Sequence, residues 1–313
     1  MYHHGRNPLF LHLLLSLVAL LLLSPASSSS STILTTISPH GTLTITSSGN
    51  VTTVTISNPP INLYDYKVST DMFGFLSSLD PSNRTTPPPK VVIFRSADPD
   101  FFIPHIDVTA FLPPPTPEKT AVGKAYLASV VLLRSLTTTV FIAEVDGETS
   151  GSGGDLILNM DMRFAGPKAK VSSLETSLGV THPSSAMQFL GRLVNKARAL
   201  QYLLSGDYAD CKTGKELGWF NDCFESRKEM EEMVGALAAR IGLRPQAALN
   251  ATKAALQSLN PPPSELQADA NAFSPSAGNL LTEKLLEKLL ELGNQTRSPF
   301  ELGMPGTLSE LLQ

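Results

Sequence analysis

The sequence predicts an α/β fold with mainly parallel strand pairing. Short β-branched or apolar runs alternate with amphipathic helical stretches from about Tyr66 to Val145. Beyond Ser184 nearly everything reads as helix. Strands alternating with helices predict an α/β architecture with mainly parallel pairing, here followed by a helical tail.

Folded sequence is expected to start near Gly41. Thr42-Leu-Thr-Ile-Thr46 and Val51-Thr-Thr-Val-Thr-Ile56 flank Ser48-Gly49-Asn50, the pattern of a β-hairpin around a Gly/Asn turn. Asn58-Pro59-Pro60 ends the second strand. A helix is expected from about Tyr66 to Leu79, because Val68, Met72, Phe75, Leu76 and Leu79 share one face. A Pro/Thr/Ser loop over 80–89 leads to an apolar strand at Lys90–Arg95. A second proline-rich loop over 112–117 precedes a helix from about Glu118 to Leu136 and a buried strand at Thr139–Val145. Gly151-Ser-Gly-Gly154 opens a short helix, and extended segments follow at Met162–Ala165 and Lys170–Ser172. Helices are expected at Glu225–Ile241, Pro245–Leu259 and Leu280–Leu292, the last carrying Lys/Glu pairs three residues apart.

At 313 residues, 42% hydrophobic and 17% charged, most of the chain has the composition of a real core. The net charge of −4, with no basic arm or stripe, argues against nucleic acid as a partner. Arg6 precedes an almost wholly apolar run from Leu9 to Leu23. That run is short for a transmembrane helix and suits a signal-peptide core, with small residues at Ser24–Ser27 for cleavage. The expected organisation is a signal over 1–26, a flexible Ser/Thr-rich leader over 27–40, a core over 41–192 and a helical region over 193–313. An uncleaved membrane anchor is the alternative for the first segment, and membrane contact is expected only there.

Asn-X-Ser/Thr sequons at Asn50, Asn83, Asn250 and Asn294 fit a secretory or extracellular location. Cys211 and Cys223 are the only cysteines; they form either one disulfide or two free thiols. No CxxC pair or His cluster points to zinc, and no metal is expected.

The chain has no GxSxG elbow, no phosphate-binding P-loop and no HExxH motif. The Gly-rich turn at Gly151–Gly154 joins a buried strand to a helix start, where unsatisfied N–H groups can stabilise developing negative charge. Asp155 follows directly, and Glu175 lies twenty positions on in a segment short of charge. Two carboxylates beside such a hole are equipment for proton transfer next to a carbonyl. On the residues alone, a helix-start charge at Asp155 and a surface residue at Glu175 remain open.

An ordered set of blocks resembles the crotonase (enoyl-CoA hydratase/isomerase) family. Asn58-Pro-Pro-Ile-Asn-Leu-Tyr-Asp65 is similar to its NPP-x-N-x-x-D strand end. Val91–Asp107 resembles the strand and loop ending in H-x-D, and Ala143–Leu156 resembles A-x-V-x-G-x-x-x-G-G-G-x-E/D-L. Asp161-Met-Arg-Phe-Ala165, Leu174-Glu-Thr-Ser-Leu-Gly179, Ala197–Gly206 and Glu216–Asp222 follow in family order. The resemblance implies a spiral of ββα units followed by a helical region that builds homotrimers or hexamers. It implies an acyl-CoA or related thioester substrate, with coenzyme A as part of that substrate and no further cofactor. It assigns Ile106 and Ser152 as backbone N–H donors of an oxyanion hole, and Asp155 and Glu175 as the acid/base pair.

The chain departs from the family at several points. Asp stands at the first acid position, where hydratases carry Glu. Pro183-Ser184-Ser185-Ala186 replaces the P-G-G-G turn, and the loop between Asp107 and Glu118 is proline-rich. His182, beside that turn, reads as structural. The expected function is enolate chemistry on a thioester, hydration or double-bond migration, and the altered loops fit a specialised metabolite. The alternative is a secreted, non-catalytic binding protein on the same scaffold.

Overall fold

The computed structural model describes residues 32–184 and 186–313. The segment read as a signal and the first residues of the leader lie outside the described residues. Two sheets organise the fold. The larger holds, in spatial order, β1 (Ile33–Ile37), β2 (Leu43–Ser48), β3 (Val51–Ile56), β4 (Val91–Ser96), β6 (Val140–Val145), β8 (Met162–Ala165) and β11 (Asp222–Cys223). The smaller runs β10 (Tyr208–Asp210), β9 (Lys170–Ser172), β7 (Glu148–Ser150) and β5 (Phe101–Ile103). Pairing is antiparallel from β1 to β3 and parallel from β3 to β11. The chain thus lays β4, β6 and β8 into the large sheet, and β5, β7 and β9 into the small one, turn after turn. This is the spiral that the resemblance implies.

β4 reads as a continuous apolar run because both of its faces are covered. Val92 and Phe94 pack inward with Phe141, Met72 and Tyr126. Val91 and Ile93 face Met230, Val234 and Ala238 of α7 (Arg227–Gly242). On the inner side lie α1 (Tyr66–Ser78), capped by Asp65, and α2 (Pro117–Ser135), capped by Thr116 with Pro117 at its first position. The short α3 (Ser152–Leu158) follows β7 and ends on Arg163, whose guanidinium donates to the carbonyls of Met160 (3.0 Å) and Trp219 (2.8 Å).

The remaining helices are α4 (Ala186–Val194), α5 (Lys196–Ser205), α6 (Cys211–Leu217), α8 (Gln246–Leu256), α9 (Pro263–Ala277), α10 (Leu280–Leu292) and α11 (Pro299–Gly303). A separate cluster of α10, α11 and the final turn, with Leu285, Leu289, Phe300 and Met304, packs on Val108, Leu174 and Leu178. The helical tail therefore closes over the loops that leave the small sheet. Among the described residues, no helix is long and apolar enough to cross a membrane.

Three sequence expectations need correcting. Residues 33–37, assigned to a flexible leader, form β1: their β-branched side chains pair along the exposed edge of β2, with the Thr35 and Thr46 hydroxyls 3.3 Å apart. The region after 193 is not purely helical, since β10 extends the small sheet and β11 the large one. The three-residue strands β5 and β7, buried in the smaller sheet, were not anticipated.

Candidate active site

Two backbone segments meet at an apolar cavity of about 150 Å³ bounded by Val108, Phe111, Leu127, Val180, Phe273 and Leu286. The first is the loop after β5. Tyr64 N–H donates to the His105 carbonyl (3.0 Å), and Asp107 N–H donates to the Tyr64 carbonyl (3.1 Å). In a trans peptide C=O and N–H point in opposite directions. The Ile106 N–H is thereby turned away from Tyr64, and Ile106 lines the cavity.

The second segment is the start of α3. Gly151 holds φ +49, and a Cβ there would come within 3.0 Å of Glu175 Oε1. A Cβ on Gly153 would lie 2.1 Å from the Ile103 carbonyl oxygen. Glycine at these two positions lets the helix start lie directly against β5 and the second carboxylate. Asp155 N–H donates to the Gly151 carbonyl (2.9 Å), so the Ser152 N–H of the same peptide unit points outward from the helix start. No side chain caps this end. The two sequence-assigned donors, Ile106 and Ser152, therefore border one cavity. Tyr126 also lines it and donates its hydroxyl to the Ser152 carbonyl (3.3 Å).

Asp155 and Glu175 line the same cavity and are only 2% and 9% exposed. Burial thus excludes a surface position for Glu175, while Asp155 does lie in the first turn of α3, buried rather than exposed there. Glu175 begins a 3-10 turn (Glu175–Leu178) after β9; its Oε2 accepts from Leu174 N–H (2.9 Å) and the Ser173 hydroxyl (3.2 Å).

His182 is the residue that the sequence reading undervalued. It is buried behind the two carboxylates, with Nδ1 2.8 Å from Asp155 Oδ1 and Nε2 3.2 Å from Glu175 Oε2. Ser173 Oγ lies 2.7 Å from Nε2, and the Ser184 hydroxyl donates to Asp155 Oδ2 (2.5 Å). Burial by itself would lower the His182 pKa, but the Asp155 and Glu175 carboxylates outweigh it and lift it to about 9. Burial, with repulsion from Asp155, raises the Glu175 pKa against the pull of His182. These shifts favour the charged form of the His182 ring and the protonated form of the Glu175 carboxyl. The three residues bring potential ligand atoms within 4.8 Å of one another, but those atoms already bond to each other.

A second buried histidine lies under the Ile106 loop. His105 Nδ1 is 2.8 Å from the Ile106 carbonyl, and Nε2 is 3.1 Å from Glu301 Oε2. No sequence pattern pairs residues so far apart.

Of the remaining sequence candidates, Cys211 and Cys223 are joined by a disulfide, with Cα atoms 5.3 Å apart. Asn50, Asn83 and Asn294 are exposed. Asn250 lies within α8, half-buried beside Gln246. These residues are distinct from the cavity lining.

The sequence profile described as enoyl-CoA hydratase/isomerase matches residues 46–279. A short-chain-enoyl-CoA hydratase from Clostridioides difficile is 34% identical over 118 residues, 38% of this chain and 75% of that protein. A peroxisomal Δ(3,5)-Δ(2,4)-dienoyl-CoA isomerase from Arabidopsis thaliana is 30% identical over 115 residues, 37% of this chain and 41% of the isomerase. The chain thus spans less than half the length of that relative. The crystal structure of a candidate enoyl-CoA hydratase from Streptomyces avermitilis superposes with a TM-score of 0.78 at 33% identity, covering 88% of this chain and 98% of that one.

Proposed function

The chain belongs to the enoyl-CoA hydratase/isomerase family, and from that premise we propose that it moves protons beside the carbonyl of an acyl-CoA thioester. The observation that carries this reading is the meeting of two outward backbone donors and two buried carboxylates on one apolar cavity. The thioester oxygen sits between the N–H groups of Ile106 and Ser152. Charge develops on that oxygen as a proton leaves the adjacent carbon, and fixed donors in an apolar site stabilise it without reorganising.

In double-bond migration Glu175 takes the proton from the α-carbon and returns it to the γ-carbon; in hydration it takes a proton from the water whose oxygen bonds to the β-carbon and delivers a proton to the α-carbon. Asp155 is the second carboxylate, anchored by Ser184 and His182. His182 does not line the cavity; its positive charge keeps the two carboxyl groups compatible at close range. Hydration requires both carboxylates to address one water, whereas migration needs only Glu175.

Turnover of crotonyl-CoA and of a 3-enoyl-CoA by wild-type protein and Glu175→Gln tests the reading. Wild type is expected to convert at least one substrate, and the folded variant to lose about 10²-fold or more, the scale of general acid–base catalysis. Retention of wild-type turnover by the variant would remove Glu175 from the chemistry.

We further propose a secretory or extracellular location. It is supported by the apolar run after Arg6, the exposed sequons and the disulfide. A glycosidase-sensitive mass on the native protein is expected; an unshifted mass would contradict it. A homotrimeric or hexameric assembly is supported by exposed Leu204, Leu243, Leu256 and Leu259 in the helical region.

A further inference from the structure

The segment following α10, residues 294–301, takes no part in the chemistry above, yet two of its side chains end on the loop that carries Ile106. Gln295 Oε1 accepts from Val108 N–H (2.8 Å), and its Nε2 donates to Asp107 Oδ1 (2.9 Å). Glu301 Oε2 lies 3.1 Å from His105 Nε2, whose other ring nitrogen is 2.8 Å from the Ile106 carbonyl. Arg297 fastens the same segment at the turn before β5, donating to Asp98 Oδ2 (2.8 Å) and to Asp100.

The backbone there adopts an unfavourable conformation. Asn294 and Gln295, neither a glycine, hold φ +50 and +51 in succession. Such a conformation persists where surrounding contacts over-determine it, and it clusters at functional sites. Preceding them, Gly293 is packed so closely on Glu301 that a Cβ would lie 2.6 Å from Oε1. Glu301 is wholly buried and sits against His105. A buried carboxylate is costly unless a partner compensates it, and the partner chosen here belongs to the donor loop.

We propose that Gln295 and Glu301 are positioning residues that hold the Ile106 N–H in aim at the thioester oxygen. Tyr64 fixes one side of this loop and the C-terminal segment fixes the other. Neither side chain touches substrate; each acts through the Ile106 backbone. This inference rests on the reading of Ile106 as an oxyanion donor.

The test uses the full protein, Gln295→Ala and Glu301→Gln, with 4-dimethylaminocinnamoyl-CoA as the probe. Its absorption moves to longer wavelength when the thioester carbonyl is polarised. Wild type is expected to bind it with a red shift, and both variants to bind it with most of the shift lost. On a turned-over substrate, kcat should fall about tenfold or more with KM within about threefold, because a mis-aimed donor loses transition-state stabilisation. Glu301→Gln is nearly isosteric and Gln295 is only half-buried, so a folding defect in one variant leaves the other informative. Variants that bind the probe with the full shift and unchanged kcat would overturn the positioning role. Absence of binding or shift in wild type would instead overturn the oxyanion reading, and the inference with it.

Discussion

His182 sits within hydrogen-bonding distance of both carboxylates, so its removal changes what each can do. Without the imidazolium, the buried Glu175 carboxyl loses its main stabilising charge and its pKa rises further. In His182→Gln, the acid limb of the kcat/KM profile is therefore expected to move to higher pH, with a lower plateau. A profile that keeps its acid limb would mean that His182 only fills space. The carboxylates themselves were legible in the sequence, because Asp155 follows a glycine turn and Glu175 lies in a charge-poor stretch. His182 was not, because its role depends on the segment 182–184 folding back behind α3, and a lone histidine carries no signal of that. Ser173 and Ser184, which complete the hydrogen-bond set, were hidden for the same reason.

Among the elements, long periodic segments were read to within a residue or two. α1, α2 and α10 each bury a repeating apolar face, and β4 and β6 are continuous apolar runs. β5 and β7 were missed because three residues cannot display a period; their burial comes from stacking in the small sheet. The grip of the C-terminal segment on the donor loop was also invisible, since Glu301 and His105 are 196 positions apart. The disulfide ties α6 to the two-residue edge strand β11. Closing a loop of this length restricts the unfolded chain by about 3 kcal/mol. Cys211→Ser/Cys223→Ser is expected to lower urea stability by roughly 2–3 kcal/mol, with the kinetics of the folded protein unchanged. Equal stability of the double variant and wild type would show that the bridge contributes nothing.

Taken as a whole, the molecule carries an unusual set of buried groups with raised pKa values. Burial lifts Glu148 to about 8 and Glu144 to about 7, and the carboxylates lift His182 to about 9. A group whose folded pKa exceeds its unfolded value binds its proton more tightly when folded. Its contribution to stability is full below the unfolded value and is lost as pH rises through the folded one. All three act in the same direction, so stability is expected to fall steadily from about pH 5 to pH 9. The difference in Tm between pH 6 and pH 9 should shrink in Glu148→Gln, whose amide does not titrate. An equal or larger difference in that variant would contradict the assignment. The spiral and its site survive these costs because the apolar core on both faces of the large sheet supplies the stability, leaving polar groups at the cavity free to serve chemistry.

The central claim, enolate formation beside a thioester, is tested most directly by proton exchange. The protein and Glu175→Gln would be incubated with crotonyl-CoA and with a 3-enoyl-CoA in deuterated water, and deuterium followed at the carbon next to the carbonyl. The account predicts uptake with wild type from at least one substrate and none above background with the variant. Undiminished uptake in the variant, or no uptake by folded wild type from either thioester, would contradict it.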